Sequence, residues 1–222
     1  MTKEERLQKQ KERLYEMRSF DNEYRHAYGQ IGGIDEVGRG PLCGPVVTCC
    51  VVLPEDLDIL GINDSKKLSK KAREALYDQI LEEALAVGIG QKDNHVIDEI
   101  NILEATKLAM KESIEKAQKM LQKRNLPPLE HVLIDAVTLT GISQSQSGIV
   151  KGDAKSLSIA AASIVAKVTR DRIMEAYAEQ YPGYGFESNM GYGTEKHYEG
   201  LRKYGITPIH RLSFLKSFTG NE

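Results

Sequence analysis

The stretch PVVTCCVVL, residues 45–53, is apolar at nearly every position rather than at every second one. A strand with one wet face alternates; a strand apolar on both faces must be covered on both. The chain is therefore expected to build a sheet with this segment at its centre and helices on either side. Its 222 residues suffice for one such domain. A composition of 41% hydrophobic and 28% charged residues agrees with a globular chain. No apolar run approaches the ~20 residues of a membrane span. The opening MTKEERLQKQKERLYEM lacks the apolar core of a secretory signal. Cys43, Cys49 and Cys50 form neither a disulfide framework nor a CxxC metal site. A cytoplasmic location without membrane contact is the expectation. The net charge of −2 argues against a bulk nucleic-acid binder, although local basic patches matter more than the total.

Around the central strand the spacings predict a polar helix over 4–24, a strand at IGGIDEV and a helix following DSKKLS, with Ser69 as N-cap. A short strand at AVGIGQ, one long helix over 96–122, a buried strand at HVLIDAV and a short strand at GIVKG come next. A small-residue helix covers 155–180, and a last helix lies near 194–204. Strands in a meander, followed by strands alternating with long helices, give an α/β fold with a mixed sheet flanked by helices. Residues 1–28 read as an N-terminal helical extension and 29–222 as the main domain, closed by a C-terminal helical segment.

Four acids stand out by position. Asp35 and Glu36 lie at the end of the first strand, beside Gly38-Arg39-Gly40. Asp135 ends HVLID, and Asp153 precedes the small-residue helix. Strand ends beside loops are where α/β sheets build sites. Carboxylates gathered there repel one another unless a cation neutralises them, and a hard divalent ion with oxygen ligands does so. Each of these acids also has a plainer reading as a solvated surface charge. Adjacent strand residues point to opposite faces. Asp35 and Glu36 are thus expected to share a site only if the strand ends or bends at them. Asp171, flanked by arginines in TRDR, reads as one half of a structural ion pair.

Other features suit an anion. The glycines of GRG permit close approach of a sugar-phosphate, or simply make a tight turn. The lysines of DSKKLSKK stand near a helix start, where phosphate contact and a solvated helix end are both open readings. Tyr192, between glycines in MGYGT, is placed to stack on a sugar or base. Tyr181 and Tyr204 read as buried tyrosines. The five histidines show no metal-ligand spacing, and His210 reads as structural.

The segments GIDEVGRGPLCGPVV, INDSKKLS, NILEATKLAM, VLIDA, IVKGDAKSLSIAAASIVAKVTRDR, YPGYGF, GYGTEKH and GITPIHRLSF, in this order, resemble bacterial ribonuclease HII. The likeness covers about residues 31 to 215. It implies a ribonuclease H-like five-stranded sheet. It implies an endonuclease that cuts the RNA strand of RNA–DNA hybrids and nicks on the 5′ side of single ribonucleotides in duplex DNA. The family's metal-binding acids fall on Asp35, Glu36, Asp135 and Asp153, the last in preference to Asp171. Its ribose-reading loop falls on Gly38, Arg39 and Gly40, with Tyr192 as partner, and Lys66 looks like a phosphate contact. The sister ribonuclease HIII family typically has GKG at the loop and an extra N-terminal domain.

The resemblance further implies two Mg²⁺ or Mn²⁺ ions per site, hydrolysis to a 5′-phosphate and a 3′-hydroxyl, and a monomer acting on hybrid and ribonucleotide-containing duplexes. Two other readings share parts of the pattern. One is a resolvase- or integrase-like nuclease of the same fold, which needs no 2′-hydroxyl reader. The other is a non-catalytic module that binds nucleic acid or a replication clamp, for which the apolar ending RLSFLKSF is the motive.

Overall fold

The computed structural model describes residues 2–135 and 137–219. Helix α1 (Lys3–Tyr28) leads into β1 (Ile31–Val37) and β2 (Val46–Val52). Then follow α2 (Lys70–Glu83), β3 (Ala86–Lys92), α3 (Asn94–Ile100), α4 (Ile102–Lys123), β4 (His131–Ile134) and β5 (Ser145–Gly148). Helices α5 (Leu157–Gln180), α6 (Phe186–Asn189), α7 (Glu195–Tyr204) and α8 (Lys216–Thr219) complete the order. The five strands form one sheet in the order β3-β2-β1-β4-β5. β1 pairs antiparallel with β2, and β2 with β3, while β4 and β5 run parallel to β1. The sheet is mixed, as the element order predicts, and every residue of β2 is buried.

Each face has its own cover. On one, Cys49 and Val51 of β2 pack with Leu76 and Ile80 of α2 and with Ala161, Ile164 and Val165 of α5. On the other, Cys50 and Val52 pack with Met110, Ile114 and Leu121 of α4. The split of alternate β2 residues between two cores is what a doubly covered strand requires. Helix α5 crosses β1 so closely that a Cβ at Gly33 would lie 2.1 Å from the Ser158 backbone. Only glycine allows this approach, which brings α5 close to the end of β1.

Helix α1 is tied to α5. The buried Asp21 accepts from the Ser158 amide at 2.8 Å and from the Ser158 hydroxyl at 2.6 Å, at the first turn of α5. A carboxylate there meets unpaired amides and the positive end of the helix. Arg13 of α1 donates to the Ala154 carbonyl at 3.0 Å, beside Asp153.

Three local expectations differ from the structure. The single helix over 96–122 is two helices, broken at Asn101, whose φ of 71° is left-handed and whose side chain caps α4. The strand expected at GIVKG lies upstream at Ser145–Gly148, an edge strand of polar residues without an apolar pattern. Tyr204 is 55% exposed rather than buried. Ser69 caps α2 by accepting from the Ala72 amide. Asp171 pairs with Lys167 at 2.6 Å, as its sequence context suggests. Among the described residues all three cysteines are free and buried. No described helix is long and apolar enough to cross a membrane.

Candidate active site

β1 outruns β4. Its pairing with β4 covers Ile31 to Ile34, whereas its pairing with β2 continues through Asp35, Glu36 and Val37. The last three residues of β1 therefore border a notch on the β4 side, and Asp135 follows Ile134 directly into it. The Asp135 amide donates to the Ile34 carbonyl at 3.4 Å. The Asp135 carboxylate accepts from the Gly152 amide at 3.2 Å, which draws in the turn carrying Asp153. Such a crevice at the carboxyl ends of parallel strands is where open α/β sheets place ligands.

Strand β1 neither ends nor bends at Asp35 and Glu36; its register is regular to Val37. Parity places Asp35 with Gly33 on the α5 face and Glu36 with Ile34 on the α4 face. The end or bend that the sequence reading required at Asp35 and Glu36 is not there. Where a strand loses its neighbour, side chains of both parities border the same open edge. Beyond burial, Asp35 is pushed up by the Glu36 and Asp135 charges, and Glu36 by the Asp135 charge.

The electrostatics are those of an uncompensated acid cluster. Burial, then the Glu36 charge, raises the Asp35 carboxyl to about 8, against a hydrogen bond from Ser163 that lowers it. Burial also raises Glu36, with Arg39 opposing. Burial raises Asp153, followed by the charges of Asp64 and Asp135, with Lys66 and Lys67 opposing. Arg39 reaches Glu36 Oε1 at 3.4 Å, but the buried Oε2 has no hydrogen-bond partner. An orphaned carboxylate oxygen amid mutually repelling acids fits an oxygen-liganded divalent cation. Lys66, exposed on a short 3₁₀ turn capped by Asp64, is close enough to both Glu36 and Asp153 to lower their carboxyls.

The loop after β1 has the opposite character. Gly38 turns with φ of 91°, a conformation that favours glycine. Behind it lie two buried arginines. Arg211 donates to the carbonyls of Gly38 at 2.7 Å, Arg39 at 3.1 Å and Gly44 at 3.0 and 2.8 Å. Arg170 donates to Pro45, Met190 and Cys43 at 2.9, 2.9 and 3.1 Å. Peptide planarity fixes the consequence. With the Gly38 and Arg39 carbonyls turned to Arg211, the amides of Arg39 and Gly40 point the other way. Among the described residues neither amide donates to another protein group. Tyr192, 45% exposed, sits beside them, its ring 3.5 Å from where a Cβ on Gly40 would stand. The Leu42 amide ties the two loops by donating to Gly191 O at 2.8 Å.

The structure thus gathers Asp35, Glu36, Asp135, Asp153 and Lys66 at one notch, and Gly38, Arg39, Gly40 and Tyr192 at its lip. Sequence reasoning missed Asp64 and Ser163, and took Arg170 and Arg211 only as basic residues flanking the acids, not as holders of loop carbonyls. Arg211 had one visible sign, a permanent charge set between the apolar residues Ile209, Leu212 and Phe214.

Comparison with known proteins supplies the family. Residues 32–217 match the model of the family described as Ribonuclease HII. Ribonuclease HII of Enterococcus faecalis (strain ATCC 700802 / V583) is 56% identical over 200 residues, 90% of this chain and 75% of that protein. Its counterpart in Clostridioides difficile (strain 630) is 55% identical over 212 residues, 95% of this chain and 80% of that protein. The crystal structure of ribonuclease H2 from Pyrococcus horikoshii OT3 superposes with a TM-score of 0.63 at 28% identity, covering 86% of this chain and all 100% of that one. The RNase HII of Archaeoglobus fulgidus, solved in complex with PCNA, gives 0.61 at 25% identity, covering 82% and 94%. Bst-RNase HIII, solved with Mn²⁺, shares the fold with a TM-score of 0.63 at 20% identity, over 85% and 68% of the two chains. The chain belongs to the ribonuclease HII family and is an endoribonuclease of the ribonuclease H type 2 class.

Proposed function

We propose that this endonuclease hydrolyses the RNA strand of RNA–DNA hybrids and nicks duplex DNA on the 5′ side of single embedded ribonucleotides, leaving 5′-phosphate and 3′-hydroxyl ends. One observation carries the reading. The outward amides of Arg39 and Gly40 and the Tyr192 ring lie at the lip of the acid notch, within a nucleotide's reach of it. The 2′-hydroxyl is the mark that separates a ribonucleotide from its deoxy neighbours, and a hydroxyl can accept from such amides. Asp35, Glu36, Asp135 and Asp153 would hold two Mg²⁺ or Mn²⁺ ions. Such ions, when bound, lower the pKa of a water and stabilise the charge on a leaving 3′ oxygen. The side chains themselves bind and orient; none serves as a nucleophile. Lys66 meets the substrate backbone as a phosphate contact.

In the same reading residues 29–222 form the catalytic unit, and the 1–28 extension braces α5 and the Asp153 turn through Asp21 and Arg13. The family match from residue 32 onward supports that division. The protein works as a cytoplasmic monomer. A clamp contact like that of the Archaeoglobus fulgidus relative draws no support from RLSFLKSF, whose Phe214, Leu215 and Phe218 pack on the chain's own apolar cluster.

The test is a nick-mapping assay on a duplex with one ribonucleotide, on a long hybrid and on all-DNA duplex, with each metal. A single nick 5′ of the ribonucleotide is expected. No cleavage with either Mg²⁺ or Mn²⁺ would sink the reading, and equal cleavage of all-DNA duplex would favour a resolvase-like enzyme. Binding without metal-dependent cutting would favour the non-catalytic module.

A further inference from the structure

Under the Tyr192 loop, Cys43, His197 and His210 are all buried, and one ligand atom from each lies within 4.8 Å of the others. Two chemistries fit such a cluster, a soft metal ion or a closed hydrogen-bonded network. The partners of the two imidazoles decide between them.

The Thr207 amide donates to His210 Nδ1 at 3.0 Å. An amide can only donate, so that nitrogen carries a lone pair and the proton is on Nε2. His197 Nδ1 lies 3.0 Å from the Tyr192 carbonyl oxygen. A carbonyl can only accept, so His197 carries its proton on Nδ1 and a lone pair on Nε2. The two Nε2 atoms are 3.0 Å apart. One must donate and the other accept, which is what the outer contacts already dictate. Of the four combinations of neutral tautomers, one satisfies all three contacts. A metal ion would need both Nε2 lone pairs. It would force the His210 proton onto Nδ1, where the Thr207 hydroxyl at 2.7 Å can accept it but the Thr207 amide at 3.0 Å is left facing a donor. The Cys43 thiol, raised to about 12 by burial, is a poor source of thiolate. The network is complete without an ion.

We propose that His197 and His210 form a neutral, tautomer-locked pair whose work is to position Tyr192 against the Gly38-Arg39-Gly40 loop. One end of the pair holds the Tyr192 carbonyl. The other is the neighbour of Arg211, whose guanidinium turns the Gly38 and Arg39 carbonyls inward. His210 also bridges to Cys43 on the same loop. The pair thus fixes the distance between the ring and the outward amides. Burial lowers the pKa of both imidazoles, which keeps them uncharged in neutral solution.

The inference rests on the reading that Tyr192 meets the ribose, and the experiment separates the two. Cleavage of a duplex with one ribonucleotide is measured for H197Q, Y192A and the double variant, with melting temperatures as a check on folding. Y192A alone should be impaired. H197Q should lower kcat/KM about 10-fold in the native background and less than about twofold in the Y192A background, because its effect passes through the ring. Equal losses in both backgrounds would overturn the positioning role while leaving the ribose reading intact. Full activity of Y192A would overturn both. A second measurement needs no variant. Nitrogen-15 NMR of the imidazoles should show His197 protonated on Nδ1 and His210 on Nε2 throughout pH 6–8. A proton on His197 Nε2, or one equivalent of Co²⁺ held in the cluster with its tetrahedral absorption, would also overturn the proposal.

Discussion

The acid notch and the Gly38-Arg39-Gly40 loop adjoin one another and are built on opposite rules. In the notch, like charges are crowded together and one buried carboxylate oxygen has no partner. In the loop, two buried guanidiniums are spent on backbone carbonyls, and the adjoining histidines satisfy one another. The notch is unfavourable by itself and becomes favourable when a cation binds. The loop is complete by itself, with its Arg39 and Gly40 amides fixed outward, as the proposed ribose reading requires. An endonuclease of this kind needs both, because charge stabilisation and recognition geometry make different demands on the fold. The contrast also predicts that stability and activity respond in opposite directions at the two places.

The sharpest break comes at the notch. Asp35→Asn or Asp135→Asn should reduce turnover by about 10³-fold or more while hybrid binding persists, since each removes a proposed metal ligand. A gel-shift assay alongside single-turnover cleavage checks both halves, and retained turnover in Asp135→Asn would take that residue out of the site. The same Asp35→Asn change should raise the melting temperature of the metal-free protein near pH 8, because it removes a charge that the fold disfavours.

The pH dependence follows with its sign. An unfolded Asp titrates near ~3.9, and the folded Asp35 carboxyl is raised to about 8. Between these values the folded state holds a proton that the unfolded state has lost. The stability contributed by the protonated form is complete below about 4 and is lost as pH rises towards about 8. Melts of the metal-free protein should therefore fall across that window. Mg²⁺ or Mn²⁺ should restore the loss at the alkaline end.

At the loop the prediction reverses. Arg211→Met leaves the carbonyls of Gly38, Arg39 and Gly44 without their guanidinium. At ~1–3 kcal/mol for each of the two buried carbonyls, of Gly38 and Gly44, with the half-exposed Arg39 carbonyl adding less, the cost is about 3 kcal/mol. For a chain of this size that is a fall in melting temperature of about 6–12 °C. A melting curve within two degrees of the native protein would show that water replaces the cage, and the contrast with the notch would collapse.

What the sequence disclosed follows from the range over which each signal acts. The doubly apolar β2 and the acids at strand ends are local patterns, and both could be read. Asp35 and Asp135 meet because parallel register aligns Ile34 with Ile134, a pairing between distant strands that no local pattern reveals. β5 was misplaced because Ser145–Gly148 is a polar edge strand, held by its pairing with β4 and by Gln146 on the Leu139 backbone rather than by apolar burial. The helix break at Asn101 hid inside an unbroken apolar period, and its left-handed backbone and capping side chain mark it. Arg170, His197, His210 and Arg211 were invisible as a unit. Their partners are mostly main-chain carbonyls from loops up to 173 positions away, and carbonyls carry no side-chain signature.

The smallest expected effect belongs to Lys66, and it probes where the two regions meet. Its ammonium is exposed and faces Glu36 and Asp153 across solvent, so its loss should barely change the melting temperature. As a phosphate contact it should act on binding. Lys66→Ala should raise KM several-fold with kcat nearly unchanged and reduce the salt dependence of binding by about one unit of log–log slope. A fall in kcat instead would mean that Lys66 tempers the carboxylates rather than the substrate. The division between a charge-strained notch and a preorganised lip would then have to be redrawn to place this lysine inside the notch.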